Sequence, residues 1–344
     1  MWERLVQRVR GPRARRRLHQ VLHRGTRLPF GCSGVVVREQ KADVDLAVEL
    51  CGLPLRTPLI PASGTLSKEA LGEVEGVYGA MLPKTTTPAA RAGNPPPRIA
   101  ETPAGMVNSI GLQNPGVEGF LQGLDAFDLG IPIFVSVAGD TVAEFALLCE
   151  ILDGEDRVSA VELNLSCPNV ECGGLAFCAG PASVDEVVAA CRAAVPGKPI
   201  LAKLTNEGVV ENARAAESAG ADGLTVINTL PALSIDARAR KVLVRGGLSG
   251  PAIKPVALRA VYDVSAVVNI PVIGSGGVVC GTDVAEFMLA GATAVQVGTA
   301  SFVRDPRKIL GEFTSYLKED ALNAAELTGA LRGVRPALRG GGDI

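Results

Sequence analysis

Val158-Ser-Ala-Val-Glu-Leu163 runs directly into Asn164-Leu-Ser-Cys-Pro-Asn169. The first half reads as a buried strand, and the second sets a thiol between two carboxamides at its carboxyl end. Seven more apolar runs stop in the same way at polar or glycine residues: Pro58–Ala62, Ala80–Pro83, Pro132–Val137, Pro199–Leu204, Gly223–Ile227, Pro271–Gly274 and Ala294–Val297. Among them, Ser183–Ala194, Val209–Ala219, Pro255–Val264 and Thr282–Ala290 carry Ala, Val and Leu at helical spacing. Near-continuous apolar strands alternating with such helices predict a parallel sheet covered on both faces. Eight units over about 250 residues predict an α/β fold, the (β/α)8 TIM barrel. A doubly wound open sheet is the rival. It lacks its glycine fingerprint, since the first run ends in Pro61-Ala-Ser-Gly-Thr65. Ahead of that run, Leu46–Leu50 and Leu53–Arg56 flank Cys51-Gly52 and predict a small N-terminal β-hairpin closing the barrel floor.

The 344 residues are long enough for one large domain or two average ones. Apolar content of 47% and charge of 20% are those of a globular protein. Aromatics at 4% are too few for a stacking nucleic-acid surface, so no nucleic-acid partner is expected. The net charge of −2 divides unevenly. Residues 1–40 carry ten Arg against Glu3 and Glu39, about +8, which leaves about −10 for the remainder. This leader reads as a flexible extension or an upstream start; a transit peptide is the alternative, favoured by its nine Arg in the first 27 residues and disfavoured by its low Ser content. The expected organisation is a basic extension at 1–42, the barrel domain at 43–330 and a flexible tail at 331–344. No run approaches the ~18 apolar residues of a membrane span. Eight Cys are scattered without a paired framework, so a cytoplasmic protein with reduced thiols and no membrane partner is expected.

The chain has two histidines, His19 and His23, both in the leader. If the body does acid–base chemistry near neutral pH, Cys167 is a leading candidate, with Lys, Tyr, Asp and Glu as the others. In a barrel, chemistry lies at the carboxyl ends of the strands. Those ends read Ser63-Gly64, Lys84-Thr-Thr-Thr87, Ser136 with Gly139, Asn164 to Asn169, Lys203, Asn228-Thr229, Ser275-Gly-Gly277 and Gly298-Thr299. They predict a polar, cationic pocket with few carboxylates. One glycine turn would be ordinary. Two at the seventh and eighth ends predict a phosphate site, where bare backbone N–H groups approach the anion. Lys84 and Lys203 could be solvated surface charges, but they sit at the ends of apolar strands. There they can balance an anionic flavin ring or a substrate carboxylate. Asn108, Asn164, Asn169 and Asn228 could be plain turn formers. Together they suit a ligand with amide-like edges, a pyrimidine or a flavin. Cys167 could be an inert small hydrophobe, yet its neighbours Ser166, Pro168 and Asn169 are not apolar partners. Cys172 and Cys178 follow it in no common ligand pattern and with no His nearby, so no metal is expected.

These residues resemble the class 1 dihydroorotate dehydrogenases across about residues 44–305. The resemblance rests on Pro61-Ala-Ser-Gly64, Lys84-Thr-Thr86, Gly93-Asn-Pro-Pro-Pro-Arg98 with Glu101-Thr102, and Gly105-Met-Val-Asn-Ser-Ile-Gly-Leu-Gln-Asn-Pro-Gly116. It continues in Glu162-Leu-Asn-Leu-Ser-Cys-Pro-Asn-Val170, Ile227-Asn-Thr229, Gly246-Gly-Leu-Ser-Gly-Pro-Ala-Ile-Lys-Pro255 and Val297-Gly-Thr299. Gly173-Gly174 and the Gly246–Pro255 run are similar to class 1B, the NAD-linked form.

The resemblance implies oxidation of dihydroorotate to orotate in pyrimidine synthesis. Cys167 would take the C5 proton, and FMN would accept the C6 hydride. A thiol of pKa ~8.5 needs only modest lowering for that role. The membrane-bound class 2 enzymes use Ser here, so Cys argues for a soluble enzyme. Lys84, Asn108, Ser109, Ile110, Gly111, Leu112, Asn164, Asn169, Asn228 and Thr229 would hold the substrate. Ser63, Lys84, Thr85, Asn164, Lys203, Ile227 and Gly250 would line the flavin, and Gly276, Gly277, Gly298 and Thr299 would take its phosphate. The resemblance also implies a homodimer, and a second subunit that carries FAD and a 2Fe-2S cluster and passes electrons to NAD. This chain has neither a ferredoxin-like Cys spacing nor a dinucleotide fingerprint.

Three features depart from the family. Ser136 stands where many class 1B chains have a flavin-binding Asn, Pro231–Arg245 looks like a shortened loop, and the leader has no counterpart. Three rival readings remain. One is a flavin-dependent reductase resembling the substrate domain of dihydropyrimidine dehydrogenase, which usually has His where Asn169 stands. A second is a flavin-binding subunit without turnover. The third is nucleic-acid binding through the Arg-rich leader, which a salt-dependent shift in a binding assay would reveal.

Overall fold

A computed structural model of the chain describes residues 44–66, 68–165 and 180–333. The leader at 1–42, Cys167, Asn169 and residues 334–344 lie outside the described residues.

The strands Phe134–Val137, Ile200–Leu204, Gly223–Val226 and Val272–Ser275 are buried at every position. Both of their faces are covered, which is why they read as unbroken apolar runs. They lie in one parallel sheet of seven strands, ordered Leu59–Pro61, Ala292–Val297, Val272–Ser275, Gly223–Val226, Ile200–Leu204, Ala160–Asn164 and Phe134–Val137. The eighth stave is the segment Gly79–Thr86. Gly79 N–H donates to Leu59 O at 2.8 Å on one side. On the other, Phe134 N–H donates to Met81 O at 2.8 Å and Ala138 N–H to Thr86 O at 3.0 Å. The barrel therefore closes, as the sequence predicts, but through isolated bridges rather than a regular strand. The bridges Met81–Ile133 and Thr86–Val137 span five steps on one side and four on the other. One residue is thus bulged out, at a stretch where Pro83 has no N–H to give to a ladder.

The predicted helices form as Pro181–Ala194, Val209–Ser218, Lys254–Val264 and Gly281–Ala290. Gly116–Gln122, Val142–Asp153 and Pro306–Asp320 add to this shell. The helix Val142–Asp153 begins at Thr141, whose hydroxyl accepts from Glu144 N–H at 3.1 Å and satisfies a donor left open by the first turn. No helix among the described residues is long and apolar enough to cross a membrane.

The N-terminal hairpin is also present. Val48–Leu50 pairs with Leu53–Leu55, and Leu50 and Leu55 are buried. The Cys51 thiol donates to Asp222 O at 3.2 Å, just before the strand Gly223–Val226. That places the hairpin at the amino ends of the strands, the floor.

An antiparallel sheet that the sequence reading treats as loops stands at the opposite end. Its order is Leu230–Asp236, Lys241–Ser249, Gly105–Asn108 and Ile99–Thr102. The segment 231–245, read as a shortened loop, is the body of the first hairpin.

Candidate functional site

The carboxyl ends of the strands surround a cavity of about 400 Å³. Two lysines, Lys84 and Lys203, face it, and no Asp or Glu is among its described lining residues. This matches the expected cationic pocket. The antiparallel sheet forms part of its wall through Ile99, Met106, Asn108 and Ser249.

Two short polar chains organise the strand ends. Asn228 Nδ2 donates to Asn164 Oδ1 at 3.1 Å, and Asn228 Oδ1 accepts from Thr229 N–H at 2.8 Å. Each carboxamide is thus held in one orientation and keeps a face toward the cavity. On the other side, the Ser63 and Thr85 hydroxyls are 2.7 Å apart, and those of Thr85 and Ser136 are 3.0 Å apart. Thr85 therefore joins the strand ends of Ser63 and Ser136, and all three line the cavity. The peptide between Val226 and Ile227 is cis.

Of the predicted residues, Lys84, Asn108, Ile110, Gly111, Leu112, Asn164, Asn228 and Thr229 line one cavity with Ser63, Thr85, Lys203, Ile227, Gly250, Gly276, Gly277, Gly298 and Thr299. Ser109 does not line it. Its hydroxyl accepts from Asn94 Nδ2 at 3.0 Å, so it fastens the loop behind the wall. Cys167 and Asn169 fall outside the described residues. Three described thiols are poor candidates for a base. Cys51 is pushed up to about 12 by burial and by the nearby Asp222. Cys191 is raised by its hydrogen bond with Cys149 and by burial, and Cys280 by burial and Asp283. None of these lines the cavity.

Sequence reasoning passed over Asn114, the buried hub of the loop that carries Ile110 to Leu112. Its Oδ1 accepts from Gly116 N–H at 2.8 Å and Thr87 N–H at 3.2 Å. Its Nδ2 donates to Leu112 O at 2.7 Å and to the Thr87 hydroxyl at 2.8 Å. The loop carrying Ile110 to Leu112 is thereby pinned to the end of the eighth stave. The apolar walls Ile253, Val278 and Phe302 were missed as well, because apolar residues in turns carry no chemical signature.

The phosphate site expected at the seventh and eighth strand ends has a steric test. Gly277 sits at φ +80°, and a Cβ there would lie 2.9 Å from both Gly250 O and Lys254 N. Lys254 itself is turned away, donating to Asp283 and Glu286 carboxylates at 2.6 Å each. Burial would lower the Lys254 pKa, but these two partners outweigh it and hold it above its usual value. The cradle is thus bare backbone beside a fixed side chain, which fits a phosphate monoester bound through N–H groups. Gly277→Ala forces a left-handed alanine against backbone atoms, at about 1–2 kcal/mol of strain before any displacement. The affinity for FMN, the ligand that the resemblance implies, is expected to weaken by about tenfold or more, roughly 1.4 kcal/mol. Fluorescence titration of flavin into stripped protein would measure it, and an unchanged affinity would remove Gly277 from the site.

A family model for dihydroorotate dehydrogenase matches residues 45–317. The catalytic subunit of dihydroorotate dehydrogenase B (NAD(+)) from Geobacter metallireducens is 46% identical over 305 residues, 84% of this chain and 98% of that protein. The subunit of the same name from Trichlorobacter lovleyi is 47% identical over 304 residues, 84% of this chain and 99% of that one. Among solved structures, the dihydroorotate dehydrogenase of Eimeria tenella in complex with ferulenol superposes with a TM-score of 0.72. Its identity is 24%, with 90% of this chain and 92% of that chain covered, which supports the barrel fold.

Proposed function

The chain belongs to the dihydroorotate dehydrogenase family, and on that premise we propose how its site works and what it works with. It is the catalytic subunit of a class 1B, NAD-linked enzyme that oxidises dihydroorotate to orotate in pyrimidine biosynthesis. The observation that carries the site reading is one cavity where two lysines and a fixed asparagine pair converge, with no carboxylate among the described lining residues. An anionic substrate with amide edges fits that donor set.

FMN is the cofactor we propose, and when bound it supplies a two-electron acceptor for the hydride from C6. Ser63, Thr85, Lys203, Ile227 and Gly250 would line its ring. Gly276, Gly277, Gly298 and Thr299 would take its phosphate. Lys84, Asn108, Asn164, Asn228 and Thr229 would hold the substrate by its carboxylate and ring amides, with Ile110 to Leu112 as a wall. Asn169 and Cys167 complete the proposal from the sequence. Cys167, as thiolate, would accept the C5 proton.

The name of the relatives, a catalytic subunit, supports a separate electron-transfer partner. We propose that this partner carries FAD and a 2Fe-2S cluster, and that the catalytic subunit forms a homodimer. The purified chain given dihydroorotate and NAD is expected to reduce its flavin yet produce no NADH until the partner is added. NADH formation at the full rate by the chain by itself would contradict the partner reading.

A further inference from the structure

A carboxylate with no exposure to solvent lies beneath the cavity. Glu162 is fully buried in the strand Ala160–Asn164, two residues before Asn164 and on the same inward face. Its Oε2 accepts from the Thr225 hydroxyl at 2.9 Å and from Gln296 Nε2 at 2.7 Å. Among the described residues its Oε1 has no hydrogen-bond partner, and it lies 3.6 Å from Lys203 Nζ. Lys203 Nζ in turn donates to Gln296 Oε1 at 2.9 Å. Lys203, Gln296 and Glu162 thus close a ring inside the barrel, and Lys203 is the member that reaches the cavity.

Glu162 Oε1 thus faces the Lys203 amine across 3.6 Å, the arrangement of a buried ion pair. A charged residue this deep acts over a short distance in a poorly screened medium. We propose that Glu162 is a positioning residue that fixes the orientation and offsets the charge of Lys203, and through Lys203 sets the reduction potential of the bound flavin. This rests on the FMN reading above. The sign follows from electrostatics. Adding electrons to the ring is favoured by a nearby positive charge and opposed by a nearby negative one.

Glu162→Gln keeps a carbonyl oxygen for Thr225 and Gln296 and removes the charge. Lys203→Met removes the other charge and keeps most of the chain length. Redox titration of the FMN-loaded protein, followed by the flavin spectrum, reads the consequence directly. Glu162→Gln should raise the potential, by a factor of about ten in the reduction equilibrium, about 30 mV for a two-electron couple. Lys203→Met should lower it. The double variant, which has neither charge, should fall between the singles and near the parent. A role in folding predicts no such opposite pair. If Glu162→Gln does not fold, the double variant must still lie above Lys203→Met. A Glu162→Gln potential that is unchanged or lower overturns the inference, as does a double variant no higher than Lys203→Met. A parent protein that binds no FMN defeats the cofactor reading itself, and the inference with it.

Discussion

Cys167→Ser is expected to slow bleaching of the flavin by dihydroorotate by about 10²–10⁴-fold at neutral pH, the usual contribution of a positioned general base. The body of the chain has no histidine. Three of the described thiols are held protonated by their surroundings and lie away from the cavity. The cavity's described lining offers lysines, amides and hydroxyls but no carboxylate base. The base we propose, from the resemblance, is the thiol of Asn164-Leu-Ser-Cys-Pro-Asn169, three residues in sequence after Asn164, which ends its strand and lines the cavity. Serine keeps the size of the side chain and gives a much weaker base at this pH. Binding of orotate should be nearly unchanged, because the base acts on the reacting proton rather than the bound ring. Stopped-flow reduction separates the two effects. A Cys167→Ser rate within a few-fold of the parent would place the base elsewhere.

Lys84→Ala is expected to affect both binding and rate. Its position follows from the irregular eighth stave, where Pro83 and the bulge release the chain just before the lysine. The lysine stem then lies across Gly64 at the end of the first strand. A Cβ on Gly64 would come within 2.7 Å of Lys84 Cδ and 3.3 Å of its Nζ. Gly64, at φ +79°, therefore makes room for this side chain. Losing a charged partner of a substrate carboxylate costs about 1.5–3 kcal/mol, roughly 10- to 150-fold in orotate affinity. Removing a preorganised positive group from developing charge should also slow flavin reduction by about 10²–10³-fold. Gly64→Ala should give a weaker version of both effects by displacing the stem. Orotate titration of the flavin spectrum and stopped-flow reduction measure them. Unchanged values for Lys84→Ala would return this lysine to a surface role.

Most of the barrel was legible because its strands are buried on both faces. Ile200–Leu204 and Gly223–Val226 stand out as apolar blocks whatever surrounds them. Reading the residue that ends each block then found most of the pocket. What escaped was polarity inside the blocks. Glu162 and Gln296 interrupt apolar runs, and each stands two residues before a residue that lines the cavity, Asn164 or Gly298. Period-two alternation carries the pocket's polarity down into the barrel, so these interruptions were a usable signal. The antiparallel sheet was missed for a different reason. Leu230–Asp236 alternates between half-buried and exposed positions, with Leu233 and Ile235 outward, so no apolar block marks it. Its alternation and the polar turn before Lys241 were the available signs. Ser109 was assigned to the substrate by its place in the motif, but only the folded loop shows its hydroxyl engaged by Asn94.

The most direct test is anaerobic. The purified chain, loaded with FMN, is mixed with dihydroorotate while the visible spectrum is followed. Loss of the yellow flavin band on mixing, with dihydrouracil leaving it intact, is the expected result. A flavin-loaded protein whose band survives dihydroorotate would contradict the assignment of this cavity to dihydroorotate oxidation.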